Sequence, residues 1–306
     1  MDTLGKLEST CILRLTESHI HIASAERCWA ALPITSIFHQ PITLNSKAND
    51  VVVLAVQVEL FCRGLKMAAE NMIQNDASIK LSRRNNQAVL VIQFSKHSKT
   101  SAYPVLAPRG STQLGDLDHG ILVSVDIPVS VLNVAATASS FQEPLLPQPS
   151  AYILMPPLKH LSQLIRHASK QLSETLTVAI LQNKMSISCT YPGSVEEWIC
   201  TYRDLHHPQV DPPVADPEDG ISYSVKLKGK DLAAVTSCFA VGVEHAVLGI
   251  IPRIGIIVYV YMQDDGSADL NSHEHGSSGT MTWFIPALIE DHSENQMLEE
   301  ENVASS

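Results

Sequence analysis

The stretch FQEPLLPQPSAYILMPPLKHLSQLI, residues 141 to 165, contains five prolines and ends in a helical pattern. Because proline fixes φ and lacks a backbone N–H, Pro144, Pro147 and Pro149 exclude a helix or a central strand from the first part of the stretch. Pro156 and Pro157 can open a helix at its first turn. The stretch therefore predicts a boundary, at which one half of the chain ends and another begins.

The same order of elements is predicted on both sides of this boundary. Alternating and β-branched runs indicate three strands, a fourth strand that leads into a helix, and three further strands. The predicted strands of the first half are 11–15, 19–23, 28–32, 51–58, 78–84, 88–94 and 121–129, with a helix at 59–72. Those of the second half are 175–181, 184–190, 197–204, 221–227, 246–252, 255–262 and 280–285, with a helix at 230–239. The repeated order predicts a structural duplication.

The two predicted halves differ at their beginnings. The second half opens with an additional strand, 150–155, and a helix, 157–171, whereas only ten residues precede Cys11. We expect the first strand and most of the first helix of the duplication to be missing from this sequence. The predicted organisation is a shortened domain at 1–135, a connector at 136–149, a second domain at 150–288 and an acidic disordered tail at 289–306.

Composition narrows the class of protein. The chain has 306 residues, of which 45% are hydrophobic, enough for the cores of one or two domains. No run of about 18 apolar residues and no secretory signal occurs, so the sequence predicts a soluble intracellular protein without a membrane span. Six cysteines without a C-x-x-C pair indicate reduced thiols rather than a zinc or disulfide framework. The net charge is −11, but ten of the acids lie in 263–275 and 289–306, so a locally basic face is compatible with the acidic total.

A basic stripe is predicted on the helix at 157–171. At 100° per residue, its apolar side chains fall on one side, and Lys159, Gln163, Arg166 and Lys170 form a stripe on the other. On the helix at 59–72, Arg63 and Lys66 share a face with two glutamates. Either pattern is also typical of an ordinary solvated helix face, and phosphate binding requires several such helices on one concave surface.

Catalytic or metal-binding residues are not indicated by any strong motif. Phosphate-loop, dinucleotide-binding, serine-hydrolase and zinc-protease signatures are absent from the sequence. Three histidine groups are possible metal ligands: His19 with His21, His206 with His207, and His273 with Glu274 and His275. Two ligands without a third at a fixed spacing are weak evidence for a metal site, so ordinary polar positions are favoured. Trp29, Trp198 and Trp283 lie in predicted strands and fit core or interface packing better than base stacking.

Several stretches resemble a known family. TCILRL (10–15), the proline stretch (141–165) and WFIPAL (283–288) are similar, in order and spacing, to the Hus-one family of subunits of the nine-one-one DNA-damage checkpoint clamp. The resemblance extends over residues 4 to 288. It implies an α+β fold like that of the sliding clamp proliferating cell nuclear antigen: two similar domains, antiparallel sheets outside, and helices lining a channel around DNA. The loops at 95–119 and 263–279 are long for the family.

The resemblance also implies roles for individual residues. Lys159, Arg166 and Lys170 would face DNA, as would Arg63, Lys66, Lys228 and Lys230. Strands 121–127 and 197–203 would pair across subunits, with interface candidates Ile121, Val123, Trp198, Ile199 and Tyr202, for which packing within the same chain is the alternative. No cofactor and no metal are implied.

The function expected from these inferences is that of a non-catalytic, nuclear subunit of a heterotrimeric ring. Its expected partners are two other checkpoint-clamp subunits, a clamp loader, double-stranded DNA bound without sequence preference, and repair and checkpoint proteins. One alternative is a self-assembling clamp, whose edge strands would complement each other. Another is a metal-dependent enzyme that uses the histidines.

Overall fold

The alternating runs form strands close to the predicted positions in the structure, a computed structural model. It describes residues 9–24, 27–38, 42–46, 49–97, 120–191, 193–208, 220–262 and 279–288. The chain divides into two compact units, residues 1–16 with 44–139 and residues 17–43 with 140–306. Residues 98–119 of the predicted loop at 95–119, residues 263–278 of the predicted loop at 263–279, the predicted acidic tail, and the His273–Glu274–His275 group lie outside the described residues.

The described part of unit 1 is an antiparallel sheet with one α-helix. Its strands are β1 (Thr10–Leu15), β4 (Val52–Gln57), β5 (Met72–Arg84), β6 (Gln87–His97) and β7 (Gly120–Val131), in the order β5-β6-β7-β4-β1. Helix α1 (Val58–Asn71) follows β4 directly and buries Val58, Phe61, Gly64 and Ala68. Asn85 and Asn86 both have positive φ in the two-residue turn between β5 and β6, as a type I′ hairpin requires.

Unit 2 contains a six-stranded antiparallel sheet. Its strands are β2 (His19–Ser24), β3 (Cys28–Pro33), β15 (Thr280–Pro286), β14 (Gly255–Met262), β13 (Val243–Ile251) and β8 (Ala151–Leu154), in that order. Trp29 and Trp283 are buried here, as predicted. Since β3 pairs with β15 from Ala31–Thr280 to Cys28–Trp283, the hairpin β2–β3 belongs to this unit although it precedes the proline stretch.

A second sheet and two helices complete unit 2. The strands β11 (Glu197–Tyr202), β10 (Lys184–Thr190), β9 (Thr175–Leu181) and β12 (Tyr223–Lys228) form a four-stranded antiparallel sheet in that order. Helix α2 (Leu158–His167) begins after Pro157 and continues as a π-helical turn, Ala168–Leu172. Helix α3 (Gly229–Thr236) continues as a 3-10 turn, Ser237–Val241, and contacts α2.

The proline stretch contains no strand before β8. A 3-10 turn, Ala138–Phe141, is followed by extended backbone, and Leu145 is fully exposed. Pro149 is buried against Gly249 of β13, and the Ser150 N–H donates to the Ile250 carbonyl at 2.8 Å. Residues 142–150 therefore form neither a helix nor a central strand, which confirms the prediction made from their prolines. The domain limits at 135 and 150, and the missing N-terminal elements, remain predictions.

Candidate DNA-facing and subunit-pairing surfaces

Helix α2 presents cations on its solvent side because most of its apolar residues pack on the opposite side. Leu158, Leu161, Ile165 and Ala168 are buried, which fixes the rotation of the helix. Lys159, Arg166 and Lys170 are exposed on the opposite side. No aspartate or glutamate occurs between residues 158 and 172. The predicted basic stripe is therefore a positive surface on a helical segment that contains no acid.

The π turn of α2 packs directly on the start of α3. A Cβ at Gly229 would lie 2.7 Å from the Ser169 Cβ, and the Gly229 N–H donates to the Glu174 carbonyl at 2.8 Å. Lys170 therefore lies beside the chain segment that carries Lys228 and Lys230, all three of which are exposed. The fold thus brings five of the seven predicted DNA-facing residues onto α2 with its π turn, the neighbouring α3, and the end of the strand that leads into α3.

An ion pair holds the first turn of α3. The Asp231 carboxylate is buried and lies 3.4 Å from Arg27 Nη1, which comes from the hairpin β2–β3. Because this acid is turned inward and paired, it contributes little negative charge to the exposed side of α3. The paired Asp231 leaves Lys230 as the exposed charge of that turn.

Helix α1 carries the two remaining predicted DNA-facing residues. Arg63 and Lys66 are exposed, as are Glu59 and Glu70 on the same helix. Gly64 allows a close approach to the sheet, since a Cβ there would lie 2.9 Å from Ile127 Cδ1. The exposed face of α1 is therefore electrostatically balanced, as the sequence predicts.

Strand β11 is the terminal strand of its sheet. It pairs with β10 from Met185–Tyr202 to Thr190–Glu197, and no described strand pairs with its other edge. Trp198 and Tyr202 are half-buried on one face, whereas Ile199 is 57% exposed on the other. Burial and the neighbouring Cys200 thiol raise the pKa of Tyr202. The three predicted interface residues of this strand thus lie on an open edge, on opposite faces.

Strand β7 has a comparable open edge over most of its length. It pairs with β6 from Val89–Pro128 to His97–Gly120, while β4 pairs with only three residues, Val129 to Val131. Residues 120–128 therefore have one edge without a partner strand in the described part of the chain. Ile121 is exposed and Val123 is half-buried.

Leu122 and two histidines were missed by the sequence analysis. Leu122 is 67% exposed on the open edge of β7, and alternation alone gives no reason to single it out. His160 and His167 are exposed on α2, and the helical wheel places both within about 100° of Lys159. The helical wheel would have identified these histidines if titratable residues had been included together with lysine and arginine.

The other histidine pairs have ordinary structural surroundings. His207 Nδ1 lies 2.8 Å from the Tyr152 carbonyl and Nε2 lies 2.9 Å from Asn183 Oδ1, so its ring ties β8 to the β9–β10 turn. The rings of His19 and His21 lie 5.8 Å apart, and His19 Nδ1 bonds to Ser18 Oγ at 2.9 Å. Among the described residues no group of three or more candidate ligands could hold a metal ion. None of the described helices is long and apolar enough to cross a membrane.

Comparison with solved structures identifies the fold. The chain is similar to proliferating cellular nuclear antigen from Entamoeba histolytica, with a TM-score of 0.58 and 9% sequence identity over 94% of this chain and 93% of the other. The sheets and helices described above are therefore those of the sliding-clamp fold, which confirms the predicted fold class.

Sequence relatives identify the family. Checkpoint protein hus1 of the fission yeast Schizosaccharomyces pombe is 22% identical over 316 residues, covering 95% of this chain and 94% of the relative. The checkpoint protein hus1 homolog of Dictyostelium discoideum is 26% identical over 256 residues, covering 83% and 79%. The family model of Hus1-like protein matches residues 1–289. This chain therefore belongs to the Hus1-like protein family and has the sliding-clamp fold that its sequence resemblance implied.

Proposed function

We propose that this chain is a non-catalytic subunit of a heterotrimeric, ring-shaped checkpoint clamp. A clamp loader would place the ring on damaged DNA in the nucleus, where the ring would act as a sliding scaffold for checkpoint kinases and repair enzymes. Membership of the Hus1-like family and the sliding-clamp fold support this proposal. The observation that carries it is that two of the strand edges without described partners, those of β7 and β11, belong to different units of the chain.

Two open edges on different strands suit a ring of unlike subunits. An exposed strand edge is a template for pairing with another chain. Each chain would offer β7 to one neighbour and β11 to the other, a head-to-tail arrangement that closes after a fixed number of subunits. Backbone pairing would supply affinity, and Ile121, Val123, Trp198, Ile199 and Tyr202, together with Leu122, would supply complementarity of side chains.

The cations of α2 and α3 suit a loose, sequence-independent hold on DNA. Lysine and arginine bind phosphates without reading base sequence, and a closed ring is retained on DNA by topology. Lys159, Arg166, Lys170, Lys228 and Lys230 would face the duplex from unit 2, and Arg63 and Lys66 from unit 1. A weak hold of this kind would permit sliding.

The direct test is the mass of the assembly. This chain is co-expressed with the other two subunits of a checkpoint clamp, and the purified material is analysed by size-exclusion chromatography with light scattering. We expect one species that contains one copy of each chain. A ring formed by this chain alone would support a self-assembling clamp instead, and failure to join either partner would reject the proposal.

A further inference from the structure

The solvent side of α2 contains two histidines beside its cations. His160 and His167 are exposed and lie seven residues apart, two helical turns, which is about 10 Å along the axis. On the helical wheel they occupy one flank of the stripe formed by Lys159, Arg166 and Lys170. Neither imidazole has a hydrogen-bond or ion-pair partner within the described residues, so both ring edges are available to a ligand.

The described elements that pack against α2 bring little negative charge to the two imidazoles. Helix α2 has no acid, and the 3-10 turn Ser237–Val241, which packs against it, contributes only the buried Cys238 thiol among titratable groups. Lys228 ends β12, Lys230 and Asp231 lie in the first turn of α3, and Asp231 is paired with Arg27. The exposed Glu174 follows the π turn, four residues after Lys170. A protonated imidazole on α2 thus has no carboxylate on its own helix as a partner. A bound polyanion would supply a negatively charged partner.

We propose that His160 and His167 are further DNA-contact residues, and that they link the DNA affinity of the clamp to proton uptake. This inference rests on the proposed function, in which α2 faces the duplex. Histidine changes charge between about pH 5 and pH 8, and nearby phosphates favour the charged form. Binding of DNA therefore takes up protons, and the affinity falls as the pH rises.

The size of the effect follows from counterion release. Each additional phosphate contact steepens the dependence of log K on log salt by about 0.9, so two protonated histidines add up to about 1.8. Between about 200 and about 50 mM salt, this corresponds to roughly a tenfold greater gain in affinity at low pH than at high pH. The deoxyribose phosphates stay ionised throughout, so the change belongs to the protein.

The test uses the assembled clamp and a linear duplex, with fluorescence anisotropy at about pH 6 and about pH 8 over a range of salt. We expect the wild-type salt slope to be steeper at the lower pH, and H160Q/H167Q to lose most of this difference. The variant H160K/H167K should bind at the higher pH as tightly as the wild type does at the lower pH. His245→Gln is the control, because His245 is an exposed histidine on β13 rather than on α2, and its ring stacks on Tyr261 of β14 with 4.5 Å between centroids.

A second measurement separates proton uptake from a structural effect. The binding enthalpy in buffers of different ionisation enthalpy gives the number of protons taken up, which should fall in H160Q/H167Q and stay unchanged in H245Q. Equal uptake in the wild type and H160Q/H167Q would overturn the inference. If K159A/R166A/K170A weakens binding while the histidine variants behave as the wild type, α2 faces DNA but the histidines do not contact it, and the inference is wrong. If neither set of substitutions changes binding, the proposal that α2 faces DNA is wrong as well.

Discussion

Gly229 determines how closely α2 and α3 approach each other. Its missing side chain leaves room for the Ser169 Cβ, which would lie only 2.7 Å from a Cβ at position 229. The Glu174 carbonyl and the Leu176 side chain would each lie 3.3 Å from the same atom. Because backbone and buried atoms surround the position, a larger residue there must separate the helices. The arrangement of Lys170 beside Lys228 and Lys230 depends on this contact.

The substitution Gly229→Ala should therefore destabilise unit 2. Overpacking of this kind costs about 1 to 3 kcal/mol, which urea unfolding followed by circular dichroism measures directly. Ser169→Gly provides the matched test, since it removes the nearest obstructing atom. Gly229→Ala should cost less in the Ser169→Gly background than in the wild type. Equal costs in both backgrounds would show that the contact does not limit the packing.

Buried thiols and a tyrosine predict a loss of stability at alkaline pH. Burial raises the pKa of Cys11 to about 11 and that of Cys238 to about 12, and burial also raises the pKa of Tyr259 to about 12. A group with a raised pKa holds its proton more tightly in the folded chain. The associated stability is complete below the unfolded pKa, near 9 for a thiol, and is lost as the pH rises toward the folded values.

We expect the free energy of unfolding to be constant between about pH 7 and pH 8.5 and to fall by roughly 1 to 2 kcal/mol per buried thiol by about pH 10.5. Urea titrations at fixed pH check this expectation. Cys238→Ala should be less stable than the wild type near neutral pH yet lose less on going to high pH. An unchanged pH profile in that variant would assign the alkaline loss to other groups.

At the scale of elements, the two open edges are chemically distinct. The edge of β7 carries the exposed Leu122 beside Ile121, and that of β11 carries Ile199 between Glu197 and Thr201. An introduced carboxylate on either edge must be desolvated when a partner strand pairs there. Since both leucine and isoleucine are exposed in the single chain, the same change should leave folding almost unaffected.

Leu122→Glu and Ile199→Glu should therefore each abolish binding to one partner subunit and preserve binding to the other. Pairwise co-purification measures this, with unfolding free energies expected within about 0.5 kcal/mol of the wild type. Ile254→Glu is the control, because Ile254 is 39% exposed in the β13–β14 turn and lies on neither edge. Loss of the same partner in both variants would contradict a ring in which each edge has its own neighbour.

The sequence indicates these elements better than their pairing. The limits of β9, β10 and β14 coincide with the predicted strands, because alternation and turn residues mark both ends of each strand. The pairing of β3 with β15 joins residues about 250 positions apart, and local periodicity carries no information about such a partner. The π turn after α2 was missed for a related reason, since its Ser173–Ala168 hydrogen bond of 3.0 Å leaves no pattern in the side chains.

The sequence likewise predicts some features of the candidate DNA-facing site, and only the fold shows the others. The exposure of Lys159, Arg166 and Lys170 follows from their spacing relative to Leu161 and Ile165, which the sequence shows. The proximity of Lys170 to Lys228 and Lys230 requires the Gly229–Ser169 contact, which joins segments 60 residues apart. The open edge of β11 likewise becomes visible only when the order of strands is known.

At the scale of the whole molecule, the distribution of charge matters more than its sum. The chain has a net charge of −11, which by itself would oppose binding to DNA. Ten of the 32 acids lie in 263–275 and 289–306, however, while α2 and the π turn that continues it carry three permanent cations and no acid. Within about a Debye length, 8 to 10 Å at physiological salt, a phosphate responds mainly to the charges nearest to it rather than to the net charge of the whole chain.

Removing the cations of α2 should thus weaken the binding of DNA by the assembled clamp and make the affinity less dependent on salt. In K159A/R166A/K170A, the slope of log K against log salt should decrease by up to about 2.7, so the loss of affinity grows roughly fortyfold between about 200 and about 50 mM salt. The control K80A/R83A/K184A removes the same charge from exposed positions on β5 and β10. If position determines binding, the control should retain the wild-type slope; if net charge alone determines it, the two variants should lose affinity equally, and α2 would have no special place at the DNA.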